Sequence, residues 1–172
     1  GQLAARFESE RNILAELVHP NIARLYDAGF CAAGQPYLAL EYVAGVPLTA
    51  FCDEHRLDIR RRLRLFQQVL RAVQYAHGNL VIHRDLKPSN LIVDASGRVV
   101  LLDFGIAKLI AADKPEETAH AKAAEQPFAL TPEYALPEQI AGDPITTASD
   151  IYSLGVLLYE LLTGECPYNL GH

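Results

Sequence analysis

Four polar side chains in one short region carry the chemistry that this sequence can do. His83-Arg84-Asp85-Leu86-Lys87-Pro88-Ser89-Asn90 lies between apolar runs, and Asp103-Phe104-Gly105 follows a stretch of Val and Leu. A carboxylate can sit beside an attacking hydroxyl, an ammonium can steady a phosphate, and hard oxygen atoms can hold Mg²⁺. Asp85 suits the first task, Lys87 the second, and Asn90 with Asp103 the third. One carboxylate and one amide oxygen suffice for Mg²⁺, which completes its shell with phosphates and water. Gly105 lets the backbone turn where a side chain would obstruct it. These residue types point to phosphoryl transfer, which needs positioning and charge neutralisation more than covalent help. In isolation Asp85, Asn90 and Asp103 would be turn residues and Lys87 a solvated lysine. Their joint spacing sets that reading aside.

These groups need elements to hold them. Leu3, Phe7, Leu14 and Leu17 recur at helical spacing, so residues 2–18 read as an amphipathic helix stopped by His19-Pro20-Asn21. Residues 23–30 and 36–42 read as two strands joined by a turn at Ala33-Gly34. A short helix is expected after Pro47. Asp58 is the expected N-cap of a long helix that buries Ile59, Leu63, Phe66, Leu70, Val73 and Tyr75-Ala76. The runs Leu80-Val81-Ile82, Leu91-Ile92-Val93 and Val99 to Leu102 read as small strands around the site, with a turn at Ala95-Ser96-Gly97. Residues 111–126 lack a clear period and read as a mobile loop. A last helix starts near Thr146-Thr147 and ends at Gly164. It is apolar on nearly every side and is expected to be buried all round.

Bulk properties narrow the field. Half of the 172 residues are apolar, which excludes disorder, and the net charge of −6 argues against nucleic acid as a partner. The run Arg60-Arg61-Arg62 reads as a solvated helix face. Cys31, Cys52 and Cys166 are too few and too far apart for a disulfide framework or a zinc site. They fit a reducing, cytoplasmic setting. No stretch approaches the roughly 20 apolar residues that a membrane span needs.

The chain resembles the eukaryotic-type serine/threonine protein kinases, most of all their bacterial members. The loop from His83 to Asn90 and the tripeptide Asp103-Phe104-Gly105 match that family's catalytic loop and metal-binding motif in order and spacing. Lys87, two places after Asp85, is the serine/threonine form. The resemblance implies an α+β, protein-kinase-like fold in one partial domain over 1–172. About 1–43 would be an N-lobe remnant, αC and two strands with the hinge, and about 44–172 most of a mainly helical C-lobe through αF. It implies ATP and Mg²⁺ as cofactors and serine- or threonine-containing proteins as substrates. Glu10 resembles the αC glutamate, Leu40-Glu41-Tyr42-Val43 the gatekeeper and adenine-binding hinge, and Ile92 the apolar residue under the adenine. Thr131-Pro132-Glu133-Tyr134 with Leu136-Pro137-Glu138 resembles the segment that receives substrate, where Thr131 would bond Asp85 and Lys87. Asp150 resembles the αF aspartate that holds the catalytic-loop backbone. His83 resembles a packing residue, stacked with Leu14, Leu25 and Phe104, rather than a base. Thr118 is the one credible activation-loop phosphosite, and Arg84 is either its partner or only a support of the loop.

No glycine-rich phosphate loop and no V-A-I-K-type lysine occur in the sequence. It therefore reads as a kinase domain cut at both ends, inactive alone and either poorly soluble or partly unordered. Two rival readings stay open: a pseudokinase scaffold of the same fold, and a small-molecule phosphotransferase. The second usually lacks Lys87 and the segment from Thr131 to Glu138.

Overall fold

The computed structural model describes residues 11–32, 35–104, 138 and 144–168. Glu10, Gly105, Thr118, Thr131 and the 111–126 segment lie outside the described residues. The first helix, α1, is described over 11–15, and a turn at Glu16 ends it earlier than 18. Leu17 N–H bonds Leu14 O at 3.1 Å, the tightened last turn typical of a helix end. Leu14 and Leu17 are buried, as their spacing predicts.

Strands β1 (Leu25–Phe30) and β2 (Pro36–Leu40) form an antiparallel pair with an irregularity between Leu25 and Asp27. A second sheet runs β3-β4-β5, from Gly45–Pro47, Leu91–Asp94 and Val99–Leu101. Residues 21–23 join the two regions: Ala23 N–H donates to Leu101 O and Leu101 N–H to Asn21 O, each at 2.9 Å. Helix α2 (Leu48–Glu54) follows Pro47 directly. Helix α3 (Ile59–Gly78) is capped by Asp58, whose carboxylate accepts from Arg61 N at 2.8 Å. Such a cap contributes about 1 kcal/mol. Helix α4 (Thr147–Thr163) opens with a capping box between Thr146 and Ser149 and closes on Gly164 in the left-handed region.

Two apolar clusters result. The larger packs α2, α3 and α4 against β4 and β5 through Cys52, Phe66, Val69, Leu91, Leu157 and Leu161. The smaller gathers Leu14, Leu17, Leu25 and Ala28 against Ala76 and Val81. Each fully buried Leu contributes roughly 1.5–3 kcal/mol.

Four expectations need correction. In α3 the buried stripe is Leu65, Phe66, Val69, Ala72, Val73 and Ala76. Ile59, Leu63 and Leu70 are 61%, 37% and 42% exposed, because these three share the side turned away from β5 and α4. Leu80-Val81-Ile82 is not a strand. Leu80 sits at φ 60, and Val81 N–H returns to Ala76 O, so these residues end the helix instead of pairing with a sheet. Helix α4 is not buried all round, since Ile151, Tyr159 and Leu162 are exposed. Arg62 is not a solvated helix charge. Its guanidinium reaches Leu57 O at 3.0 Å, Leu161 O at 2.9 Å and Asp53 Oδ1 at 2.7 Å, and so clamps α2, α3 and α4.

Candidate active site

The loop that follows α3 is held from beneath by α4. Asp150 is buried in the first turn of α4, and its carboxylate accepts from His83 N at 2.8 Å and Arg84 N at 3.0 Å. With both amides engaged, Arg84 is kept at φ 69, a left-handed conformation that is uncommon outside glycine. Strain of this kind persists only where surrounding contacts over-determine it, and it clusters at functional sites.

His83 is fully buried, and both ring nitrogens are used. Nδ1 accepts from Asp85 N at 3.3 Å, which leaves Nε2–H to donate to Leu102 O at 2.8 Å. This pattern belongs to one neutral tautomer, and burial pushes the imidazole below its ordinary pKa. The ring also packs at a tilt on Phe104, with centroids 4.8 Å apart, and Phe104 packs into the cluster of Leu14 and Leu25. His83 is a spacer between two loops.

Leu86, 1% exposed, anchors the next turn, while its neighbours Asp85 and Lys87 stay partly exposed. Lys87 Nζ lies 3.1 Å from Asp85 Oδ2, and each side chain keeps 23% of its surface exposed. Pro88 opens a single 3-10 turn (Pro88–Asn90) that carries Asn90 back to the loop. Asn90 Nδ2 donates to Asp85 O at 2.8 Å and touches Asp85 Oδ2 at 3.4 Å. With its nitrogen so engaged, the amide offers its oxygen for other work. Leu102 N–H bonds Asn90 O at 2.8 Å, so the residue before Asp103 is tied to the loop at Asn90 as well as at His83. Asp103 itself is exposed and held at φ 50. Asp85, Lys87, Asn90 and Asp103 thus leave one hydrogen-bonded pair of loops. Their oxygen donors suit a hard divalent cation.

Leu40, Glu41 and Val43, expected as part of the hinge, lie at the end of β2 and before β3. Leu40 ends β2, and Glu41 N–H bonds Arg24 O at 2.8 Å. Val43 leads into β3, whose Pro47 pairs with Ile92 of β4. An apolar cleft behind Leu40 is lined by Leu14, Leu25, Leu38, Asp103 and Phe104.

The protein kinase domain family matches residues 2–172. The chain belongs to this family. It is 38% identical over 167 residues to the serine/threonine-protein kinase PknB of Mycobacterium tuberculosis, covering 95% of this chain and 26% of that protein. It is 40% identical over 171 residues to the serine/threonine-protein kinase pkn3 of Myxococcus xanthus, covering 95% of this chain and 30% of that protein. The kinase chain therefore spans about a quarter to a third of these relatives' lengths. Among solved structures, the PknI kinase domain of M. tuberculosis superposes with a TM-score of 0.74 at 27% identity, covering 99% of this chain and 61% of that one. Rad53 1-466 in complex with AMP-PNP gives 0.72 at 28% identity, covering 96% and 40%. The fold is protein-kinase-like.

Some residues of this kinase domain escaped sequence reasoning. His77 Nε2 lies 2.7 Å from Asp150 Oδ2, adding the end of α3 to the support of the loop. Asn21 Nδ2 donates to Val99 O at 2.7 Å and to Gln68 Oε1 at 2.9 Å, and Gln68 Oε1 also accepts from Val99 N at 3.0 Å. No spacing pattern links residues so far apart in the chain. Glu138 accepts from the Ser149 hydroxyl, which lowers its pKa. Among the described residues no helix is long and apolar enough to cross a membrane.

Proposed function

We propose that the protein containing this chain transfers the terminal phosphoryl group of ATP to serine or threonine hydroxyls on other proteins. The observation that carries this reading is the contact of Asp85 with Lys87 and Asn90, tied through Leu102 to the segment bearing Asp103. Asp85 orients the attacking hydroxyl and accepts its proton. Lys87 neutralises charge on the moving phosphoryl group. Asn90 and Asp103 hold Mg²⁺, which when bound screens the phosphates of the nucleotide. Leu40, Glu41 and Val43 line the adenine slot and Ile92 forms its floor. Glu10 and Thr131 keep the roles their motifs imply, in phosphate positioning and in substrate alignment at Asp85. The division near residue 43 separates an upper lobe from a lower one. The relatives named as serine/threonine kinases and the AMP-PNP complex of Rad53 support the choice of substrate and nucleotide. The cellular setting is cytoplasmic in this reading, with no disulfide joining Cys31, Cys52 and Cys166. Residues 1–172 assayed alone should transfer no phosphate, because their sequence includes no glycine-rich phosphate loop.

The test is phosphoryl transfer from ATP and Mg²⁺ to a generic protein substrate by the whole protein, with Asp85→Asn alongside. The substitution should lower the rate by about 10²–10⁴-fold, the usual worth of a positioned base, while nucleotide binding stays intact. A whole protein that binds ATP but labels no serine or threonine would instead be a scaffold of the same fold.

A further inference from the structure

Residues 41–45, which include most of the proposed hinge, are fastened at both ends to one hairpin. At the far end Gly45 pairs with Asp94, the last residue of β4. A Cβ on Gly45 would lie 2.2 Å from the carbonyl oxygen of Val93 and 2.8 Å from Cγ2 of Ile92. No side chain fits at such a separation. The backbone of β4 has little room to retreat, because β5 pairs with it on the opposite edge. Close approach is therefore what demands glycine here; the positive-φ glycines among the described residues are Gly97 and Gly164.

At the near end Glu41 lies 3.7 Å from the Arg98 guanidinium. Arg98 in turn holds Asp94 Oδ2 at 2.9 Å and donates to Pro20 O at 3.3 Å. Asp94 closes the hairpin by accepting from Ser96 N, the Ser96 hydroxyl and Arg98 N at 2.9, 2.6 and 3.1 Å. One residue thus serves both ties. The backbone of Asp94 pairs with Gly45, and its carboxylate aims Arg98 at Glu41.

We propose that Gly45 and Arg98 are positioning residues for the nucleotide. Together they hold residues 41–45 at a set distance from Ile92 and so fix the width of the slot that an adenine ring enters. The inference rests on the kinase reading above. The glycine tie dominates, since a partly exposed ion pair contributes little by itself.

The experiment uses the whole protein with Gly45→Ala and Arg98→Met. Gly78→Ala is the reference, because a Cβ there meets nothing within 4 Å. Three quantities are read: affinity for a fluorescent N-methylanthraniloyl ATP, kcat at saturating ATP, and amide hydrogen exchange of residues 41–46 and 91–94 without nucleotide. Gly45→Ala should weaken nucleotide affinity by about tenfold, an overpacking effect, with kcat within about twofold because the tie acts on binding and not on the reacting groups. Arg98→Met should weaken affinity by about threefold. Both should speed exchange in the hinge, and Gly78→Ala should change nothing.

Unchanged affinity and exchange in Arg98→Met and in a folded Gly45→Ala overturn the proposal. So does a fall in kcat without a change in affinity. Should Gly45→Ala fail to fold, Arg98→Met decides alone, its side chain being 40% exposed and removable without a cavity. A parent protein that binds no ATP defeats the kinase reading instead, and the exchange data then judge the two ties by themselves.

Discussion

Asp150 Oδ2 lies 2.8 Å from the amide nitrogen of His83 and 2.7 Å from His77 Nε2, so one buried carboxylate joins α4 to the end of α3 and to the loop beyond it. Its other oxygen accepts from Arg84 N at 3.0 Å. Asp85, Lys87 and Asn90 follow His83 within the same loop, and their directions are inherited from this anchor.

Replacing Asp150 with Ala strands two amide donors in the interior. Each unsatisfied group costs about 1–3 kcal/mol, so urea unfolding should show a loss of about 3 kcal/mol or more. Phosphoryl transfer should fall further than stability accounts for, because Arg84 would relax from φ 69 and carry Asp85 with it. Asp150→Asn retains the shape and one acceptor oxygen, and should lose about half as much stability. An Asp150→Ala protein as stable as the parent would show that the anchor is dispensable.

Asn21 and Gln68 form a shared network with the backbone of Val99, joining the segment after α1 to α3 and β5. Asn21→Ala and Gln68→Ala should each destabilise by about 1–3 kcal/mol, since buried backbone groups of Val99 lose partners. The double substitution should fall short of the sum by about 0.5 kcal/mol or more, as residues in one network couple. Strict additivity in a double-mutant cycle would mean that the two amides act separately.

The Ser96 hydroxyl and then the Arg98 guanidinium hold the Asp94 carboxyl well below the usual carboxylate range. For an acid whose folded pKa is depressed, the stabilisation is present above the unfolded value of roughly 3.9. It is lost as pH falls through the folded value, because the unfolded chain takes up the proton first. Unfolding midpoints at pH 6 and pH 3 should therefore diverge more for the parent protein than for Asp94→Asn. Parallel pH profiles for the two proteins would rule out this contribution.

Much of the candidate site was legible because its residues are close together in the chain. Asp85, Lys87 and Asn90 lie within one loop, and a short turn opened by Pro88 folds Asn90 back on Asp85. The ends of α3 and α4 were readable for the same reason. Asp58, Thr146 and Gly164 act through neighbours two to four residues away. Faces were harder. Ile59, Leu63 and Leu70 fit a helical stripe as well as the buried set does, and only the positions of β5 and α4 choose between them. Arg62 looked like a surface charge until α4 placed Leu161 O beside it.

The sequence by itself determined the candidate reactive groups, the caps and the family likeness, since each depends on residue type and short spacing. Tertiary structure alone decided that Asp150 would also reach His77, that Asn21 would meet Gln68, and that Gly45 would press against Val93. Those contacts join residues 47 to 73 positions apart, and no periodicity encodes a meeting at that range. It follows from how helices and strands pack, where close approach and the burial of polar groups leave few arrangements that satisfy every hydrogen bond.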